Sequence, residues 1–215
     1  MNSKYLSEFL GTFLLTSCVV GSGIMAENLS NGNLAFALLA NTIATGAILF
    51  VIIKVFSHIS GAHFNPVVSF IFFSKRELGK NDFVYYVAFQ IIAAVIAVII
   101  THYLFDFDLL QISKNHRGEL NMLLSEAIAT FGLVLTILLV RENDETSVAL
   151  SVALYIMAGY WFTPSTSFAN PAVLIGRVFT DTFTGIAPSS FLFFLLGQLL
   201  GALFSLLIYT GLNKS

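Results

Sequence analysis

Ser60-Gly61-Ala62-His63-Phe64-Asn65-Pro66-Val67 and Ser167-Phe168-Ala169-Asn170-Pro171-Ala172 are the two stretches that decide the fold. Each holds an Asn-Pro pair that opens a short apolar run, Asn65 to Phe73 and Asn170 to Phe179. Asparagine caps helix N-termini by accepting an amide hydrogen bond, and proline is pre-set for the first helical position, so each pair predicts a helix start. About 30 Å of hydrocarbon takes roughly 20 residues of helix, and neither run is long enough to cross it. Both suit half-helices that enter a membrane and turn back.

Longer apolar stretches lie on either side, near Tyr5 to Gly23, Asn33 to Phe56, Phe83 to Leu104, Leu120 to Val140, Ser147 to Phe162 and Ser189 to Tyr209. Of the 215 residues 57% are apolar and 10% charged, against about 25% charged in a soluble domain. Lipid is therefore the solvent, and these crossings with their loops use up the chain, leaving no room for a soluble domain. The first stretch carries Glu8 and lacks a small-residue cleavage site, so it reads as a retained span rather than a signal peptide. A net charge of −2 without any basic run argues against nucleic acid or an acidic polymer as partner. Cys18 is the only cysteine, which rules out an intrachain disulfide and a cysteine metal site. No metal and no cofactor is implied.

The two halves repeat. Ser7-Glu8-x-x-Gly11-Thr12-Phe13 returns as Ser125-Glu126-x-x-Ala129-Thr130-Phe131, Asn65-Pro66 as Asn170-Pro171, and Gln90 as Gln198. One copy covers about 1–105 and the other about 118–212, within a single domain 1–215. An odd number of crossings per copy inserts the second copy upside down. The expected fold is thus an all-α membrane protein, six transmembrane helices plus two re-entrant half-helices in an inverted repeat. Lys4, Lys54, Lys75, Arg76, Lys80, Arg141 and Lys214 fall on one side, Lys114, Arg117 and Arg177 on the other, which puts both termini of this multi-pass protein in the cytoplasm.

Half-helices entering from opposite faces bring their N-termini together near the midplane, where each presents roughly half a positive charge. Cations and protons are repelled there. The Asn65 and Asn170 oxygens cap the helices, leaving their NH2 groups to donate to a passing neutral molecule.

The two Asn-Pro segments, with the paired Glu8/Glu126 and Gln90/Gln198, resemble the aquaporin, or major intrinsic protein, family over nearly the whole chain. The resemblance implies passive transport by a homotetramer, one pore per subunit, with Asn65, Pro66, Val67, Asn170, Pro171 and Ala172 as the pore motif. Glu8, Glu126, His63, Gln90 and Gln198 match scaffold positions, the carboxylates holding the loops into the half-helices through backbone amides. Val67 stands where the family has alanine, adding bulk where the half-helices touch.

A second departure matters more. The family's constriction arginine falls at Val173. Its companions fall at Thr45, Ser167, and Ala158 or Gly159, so the aromatic and histidine of a water-selective set are missing. This constriction should be wider and less charged, suiting small uncharged solutes bulkier than water. Val173 followed by Gly176-Arg177 and Asp181-Thr182-Phe183 resembles a bacterial subgroup tied to arsenic-resistance operons, which implies metalloid acids or methylated arsenicals as cargo in a plasma (inner) membrane. Arg177 shares the helical face of Val173 one turn on, and two readings stand. Either it reaches back to the outer mouth, or it pairs with Asp181, also four residues on. The rival function is a secondary transporter, since inverted repeats and broken helices serve those too. No Gly-x-Ser-x-Gly elbow supports an enzyme.

Overall fold

The computed structural model describes residues 2–213, so Lys214, counted above toward the orientation, lies outside the described residues. The helices are α1 (Ser3–Leu29), α2 (Leu34–Ser60), α3 (Pro66–Ser74), α4 (Lys80–Leu104), α5 (Leu120–Asn143), α6 (Val148–Phe162), α7 (Pro171–Val178) and α8 (Pro188–Leu212), and no strand occurs among the described residues. Their starts follow local chemistry. Asn2 and Asn33 accept from the Lys4 and Phe36 amides to cap α1 and α2, and α2 ends on Gly61, whose φ of 83° closes the helix in the left-handed conformation that glycine tolerates.

α1, α2, α4, α5 and α8 are each long and apolar enough to cross a membrane. α6 is not: its 15 residues rise roughly 22 Å. The expected fifth span, Ser147 to Phe162, is therefore short, and the cause is local. Thr163 precedes Pro164 and is forced out of the helical region, at φ −116° and ψ 127°. Its Oγ1 then donates to the Gly159 carbonyl at 2.6 Å, closing the last turn. The half-helices α3 and α7 hold nine and eight residues, under half of a bilayer crossing.

Burial runs opposite to that of a water-soluble protein. Exposed positions on the long helices are largely Leu, Ile, Val and Phe, while Ser, Thr, Asn, Gln and both Glu8 and Glu126 are buried. Lipid as outer solvent demands this, because unpaired polar groups are costly in hydrocarbon. α1 packs on α2 and α4, α5 on α6 and α8, and α2 on α6 across the halves. The α5–α8 approach is set by Gly197 and Gly201, where a Cβ would collide with the Leu123 and Ala127 carbonyls; these are the small residues of a close-packing face.

Candidate solute pathway

The half-helices meet at their asparagines. Asn65 Oδ1 accepts from the Val67 amide at 3.0 Å, and Asn170 Oδ1 from Ala172 at 3.0 Å and Val173 at 3.3 Å. The amide nitrogens cross over: Asn65 Nδ2 donates to the Ala169 carbonyl at 2.7 Å and Asn170 Nδ2 to the Phe64 carbonyl at 2.8 Å. Phe64 and Ala169 sit at φ 50° and 46°, a left-handed backbone that non-glycine residues rarely adopt, and it is their carbonyls that the opposite asparagines take. Each NH2 has two hydrogens. One therefore ties the halves together, a role absent from the sequence expectation, and one remains for the cavity that both asparagines line.

Two buried carboxylates hold these loops. Glu8 accepts from the His63 amide at 3.0 Å, the Phe64 amide at 2.6 Å, Ser60 Oγ at 2.6 Å and Gln90 Nε2 at 2.7 Å. Glu126 accepts from the Phe168 and Ala169 amides, both at 2.9 Å, and from Gln198 Nε2 at 2.6 Å. His63 is stacked on Phe72 at 4.7 Å and shares a 3.1 Å hydrogen bond with Ser69. Val67 is buried in a cluster with Ile71, Val134, Leu138, Ala202 and Tyr209 and does not line the cavity, so its bulk goes toward α5 and α8.

A cavity of about 830 Å³ runs from a charged mouth at Lys4, Lys54, Glu77 and Arg141, past Asn65 and Asn170, to Arg177. A second cavity, about 530 Å³, is lined by Glu27, Asn41, Arg117, Asp181 and Phe183 among others, and again by Arg177. Among the described residues no other lines both. At this end Thr45 Oγ1 and the Tyr160 hydroxyl are 3.1 Å apart, and Ser167 Oγ is buried without a partner. The same cavity is also lined by Leu15, Val19, Leu49, Ile53, Leu133, Val152, Ile156 and Val173.

Several expectations are corrected here. Ala158 is exposed on the far side of α6 and lines no part of the cavity. Gly159 is buried but is not wall either; a Cβ there would strike Ser167 at 2.6 Å. The α6 residues that do face the cavity are Val148, Ala149, Val152, Ile156 and Tyr160, because family spacing counted along the chain does not fix rotation at the end of so short a helix. Aromatics are thus present, Tyr160 beside Thr45 and Phe168 beside Arg177. The Arg177–Asp181 pair does not form. Asp181 Oδ1 accepts from the Lys114 amide at 2.7 Å, whereas Arg177 donates through Nε to the Thr184 carbonyl and lies over the Phe168 ring, 3.3 Å from its centroid. The chain turns after Val178, so four residues no longer span one helical turn. Arg177, 3% exposed, thereby brings positive charge to the end of the cavity that Val173 leaves neutral. Arg117 is held beside it, donating to the Gly185 carbonyl at 2.7 Å and the Phe183 carbonyl at 2.8 Å. Burial pulls its pKa down to about 10, which leaves it charged at neutral pH.

Residues 1–209 match the family described as Major intrinsic protein. The chain belongs to that family. Its members are membrane channels, and the chain is accordingly a multi-pass membrane protein of the aquaporin fold. Among relatives, Aquaglyceroporin AqpS of Rhizobium meliloti (strain 1021) is 46% identical over 206 residues, which cover 96% of this chain and 88% of the relative. Aquaporin-4 of Mus musculus is 28% identical over 190 residues, 80% of this chain and 58% of the relative. The X-ray structure of the aquaglyceroporin from Plasmodium falciparum superposes with a TM-score of 0.74 over 96% of this chain and 94% of that one, at 23% identity, a likeness of fold.

Proposed function

We propose that this major intrinsic protein is a passive channel for small uncharged solutes larger than water, of glycerol size, including neutral metalloid acids and methylated arsenicals, alongside water. It works as a homotetramer in the plasma (inner) membrane with cytoplasmic termini. One observation carries the reading: the cavity lining is mixed, a few polar groups, the hydroxyls of Thr45, Tyr160 and Ser167 with the asparagine amides, set among Leu, Ile and Val. A compact molecule carrying a few hydroxyls is matched by such a lining, its lost hydration replaced in file. The 46% identity to a relative named an aquaglyceroporin supports the same solute class.

The half-helix N-termini at Asn65 and Asn170 oppose cations at mid-path, and Arg177 opposes them again where the two cavities meet. Val173, Thr45, Ser167 and Tyr160 set the width. Stopped-flow light scattering on proteoliposomes tests this with water, glycerol and arsenous acid, for the native chain and Val173→Arg. Rapid solute uptake that Val173→Arg suppresses, and that survives an uncoupler, is expected. Water flow with exclusion of every larger solute overturns the wide pore and means that Arg177 with Tyr160 closes the mouth. Collapse of transport on uncoupling replaces the channel with a secondary transporter.

A further inference from the structure

Arg117 and Arg177 form an arrangement that conduction of neutral solutes does not explain. Their guanidiniums face one ring, at 5.3 and 3.3 Å from the Phe168 centroid. They also grip three successive carbonyls of one loop, Arg117 taking Phe183 and Gly185 and Arg177 taking Thr184. No carboxylate forms an ion pair with either; the ion pairs among the described residues are Lys4–Asp82, Lys75–Glu77 and Arg141–Glu77. Two like charges buried side by side with no ion-pair partner are costly. Among the described residues, neither Nη of Arg177 has a hydrogen-bond partner, nor does Nη1 of Arg117. Arg177 is more than nine-tenths buried, yet it borders both cavities. These unused N–H groups are donors only, so their partner must be an acceptor, and a planar guanidinium suits an oxyanion best.

We propose that the smaller cavity is a binding site for a small monovalent oxyanion, held between Arg117 and Arg177. The proposal rests on the channel reading above and adds a ligand to it. Glu27 and Asp181 also line this cavity, each engaged with a backbone amide, Glu27 with Phe183 and Asp181 with Lys114. The lining thus holds two carboxylates beside two guanidiniums, so repulsion from the carboxylates grows with each negative charge on the ligand and a dianion meets more of it than a monoanion. That selects monoanions over dianions. Arg177 sits where the cavities join, so an anion bound there stands in the solute's path and blocks it.

Methanesulfonate is a suitable probe, since it stays ionised at any working pH, and sulfate is its divalent comparator. Glycerol permeability of proteoliposomes is read with either anion on both faces, against chloride at constant ionic strength. The expected result is a saturating loss of glycerol flux with methanesulfonate and a much weaker effect of sulfate. Arg117→Gln, scaled to its own unblocked flux, should move the half-blocking concentration up by about tenfold, the effect of one charge-assisted contact. Arg117→Lys should restore part of the difference. Glycerol flux that is present and indifferent to methanesulfonate overturns the anion site but not the channel. Equal block by sulfate, or block unchanged in Arg117→Gln, overturns it as well. Absence of glycerol flux overturns the channel reading; calorimetric titration of methanesulfonate into the detergent-solubilised chain then decides the site alone, no heat in native protein sinking it and heat lost in Arg117→Gln supporting it.

Discussion

The loop before α3 and the loop before α7 are one device used twice with different ends. Ser7 and Ser60 share a hydrogen bond at 3.0 Å, as do Ser125 and Ser165 at 2.8 Å. Two backbone amides and a glutamine converge on Glu8, and two amides and a glutamine on Glu126. The ring two residues before each asparagine, His63 or Phe168, lies against the side chain seven residues after it, Phe72 or Arg177. There the likeness ends. The first half stacks a ring on a ring, and the second stacks a ring under a guanidinium. The scaffold that orients the half-helices is duplicated, while the residues at the two mouths have diverged, so stability and selectivity reside on different parts of the same repeat.

If so, breaking either scaffold should cost far more than altering either mouth. Glu8→Gln and Glu126→Gln keep the volume but turn an NH2 toward backbone N–H groups that have no other acceptor. Each orphaned buried donor costs about 1–3 kcal/mol, so each variant should lose several kcal/mol and fail to accumulate, with a large fall in the thermal midpoint in detergent. A serine hydroxyl stands at each carboxylate, Ser60 at 2.6 Å from Glu8 and Ser165 at Glu126, and either can turn to accept instead. The two variants should therefore lose comparable amounts. Equal wild-type-like melting of both would end the idea that these carboxylates carry the loops.

The next effect down belongs to the mouths. Arg177→Gln removes the charge between the cavities and leaves the fold, the Thr184 carbonyl losing a single donor. A unit charge acting over about 4 Å at an effective dielectric near 20 is worth about 4 kcal/mol. Proton or sodium leak through proteoliposomes, read with a pH-sensitive dye or by conductance, should rise by up to about a thousandfold in consequence. The equivalent change in the other half, Phe72→Leu, should leave the leak untouched. A leak unchanged in Arg177→Gln would assign cation exclusion wholly to the half-helix N-termini at the asparagines.

These contrasts also mark how far the sequence could be read. Element order, the half-helices and the equivalence of Glu8 with Glu126 were legible because they depend on apolar length, on N-cap chemistry and on repetition, all of which are local. The wall was not. Whether Ala158, Gly159 or Tyr160 faces the cavity depends on the rotation of α6, which Thr163 and Pro164 end early. The placement of Arg177 depends on a turn after Val178 that carries Thr184 back over the half-helix. Arg117 was visible only as a basic residue of a connecting loop, and only the folded chain sets it beside Phe168. Crosswise donation by the asparagines depends on the left-handed backbone at Phe64 and Ala169, for which neither residue type gives a signal.

The smallest effect expected lies at the other mouth, where Arg141 and Lys75 hold Glu77 at 2.5 and 3.2 Å beside the larger cavity. Burial pushes the Glu77 carboxyl up, but the hydrogen bonds and charges of Arg141 and Lys75 outweigh it and hold the group below the usual carboxylate range. A carboxylate held low contributes stability that is complete above its unfolded value and is lost as pH falls through the folded one. The mouth should thus be unchanged between about pH 8 and 5 and loosen only in stronger acid. With these side chains 33 to 40% exposed, solvent screening keeps the Arg141–Glu77 pair within about 1 kcal/mol. Stability and glycerol flux measured against pH should show a shallow acid limb that Glu77→Gln removes. Arg141 also lies over the Phe72 ring, 4.9 Å from its centroid, so the cation at this mouth stands one residue removed from the wall position that Arg177 fills directly at the other. A steep limb at neutral pH, in place of the shallow acid one, would mean that the first half carries a switch of its own and that the two mouths differ in regulation as well as in charge.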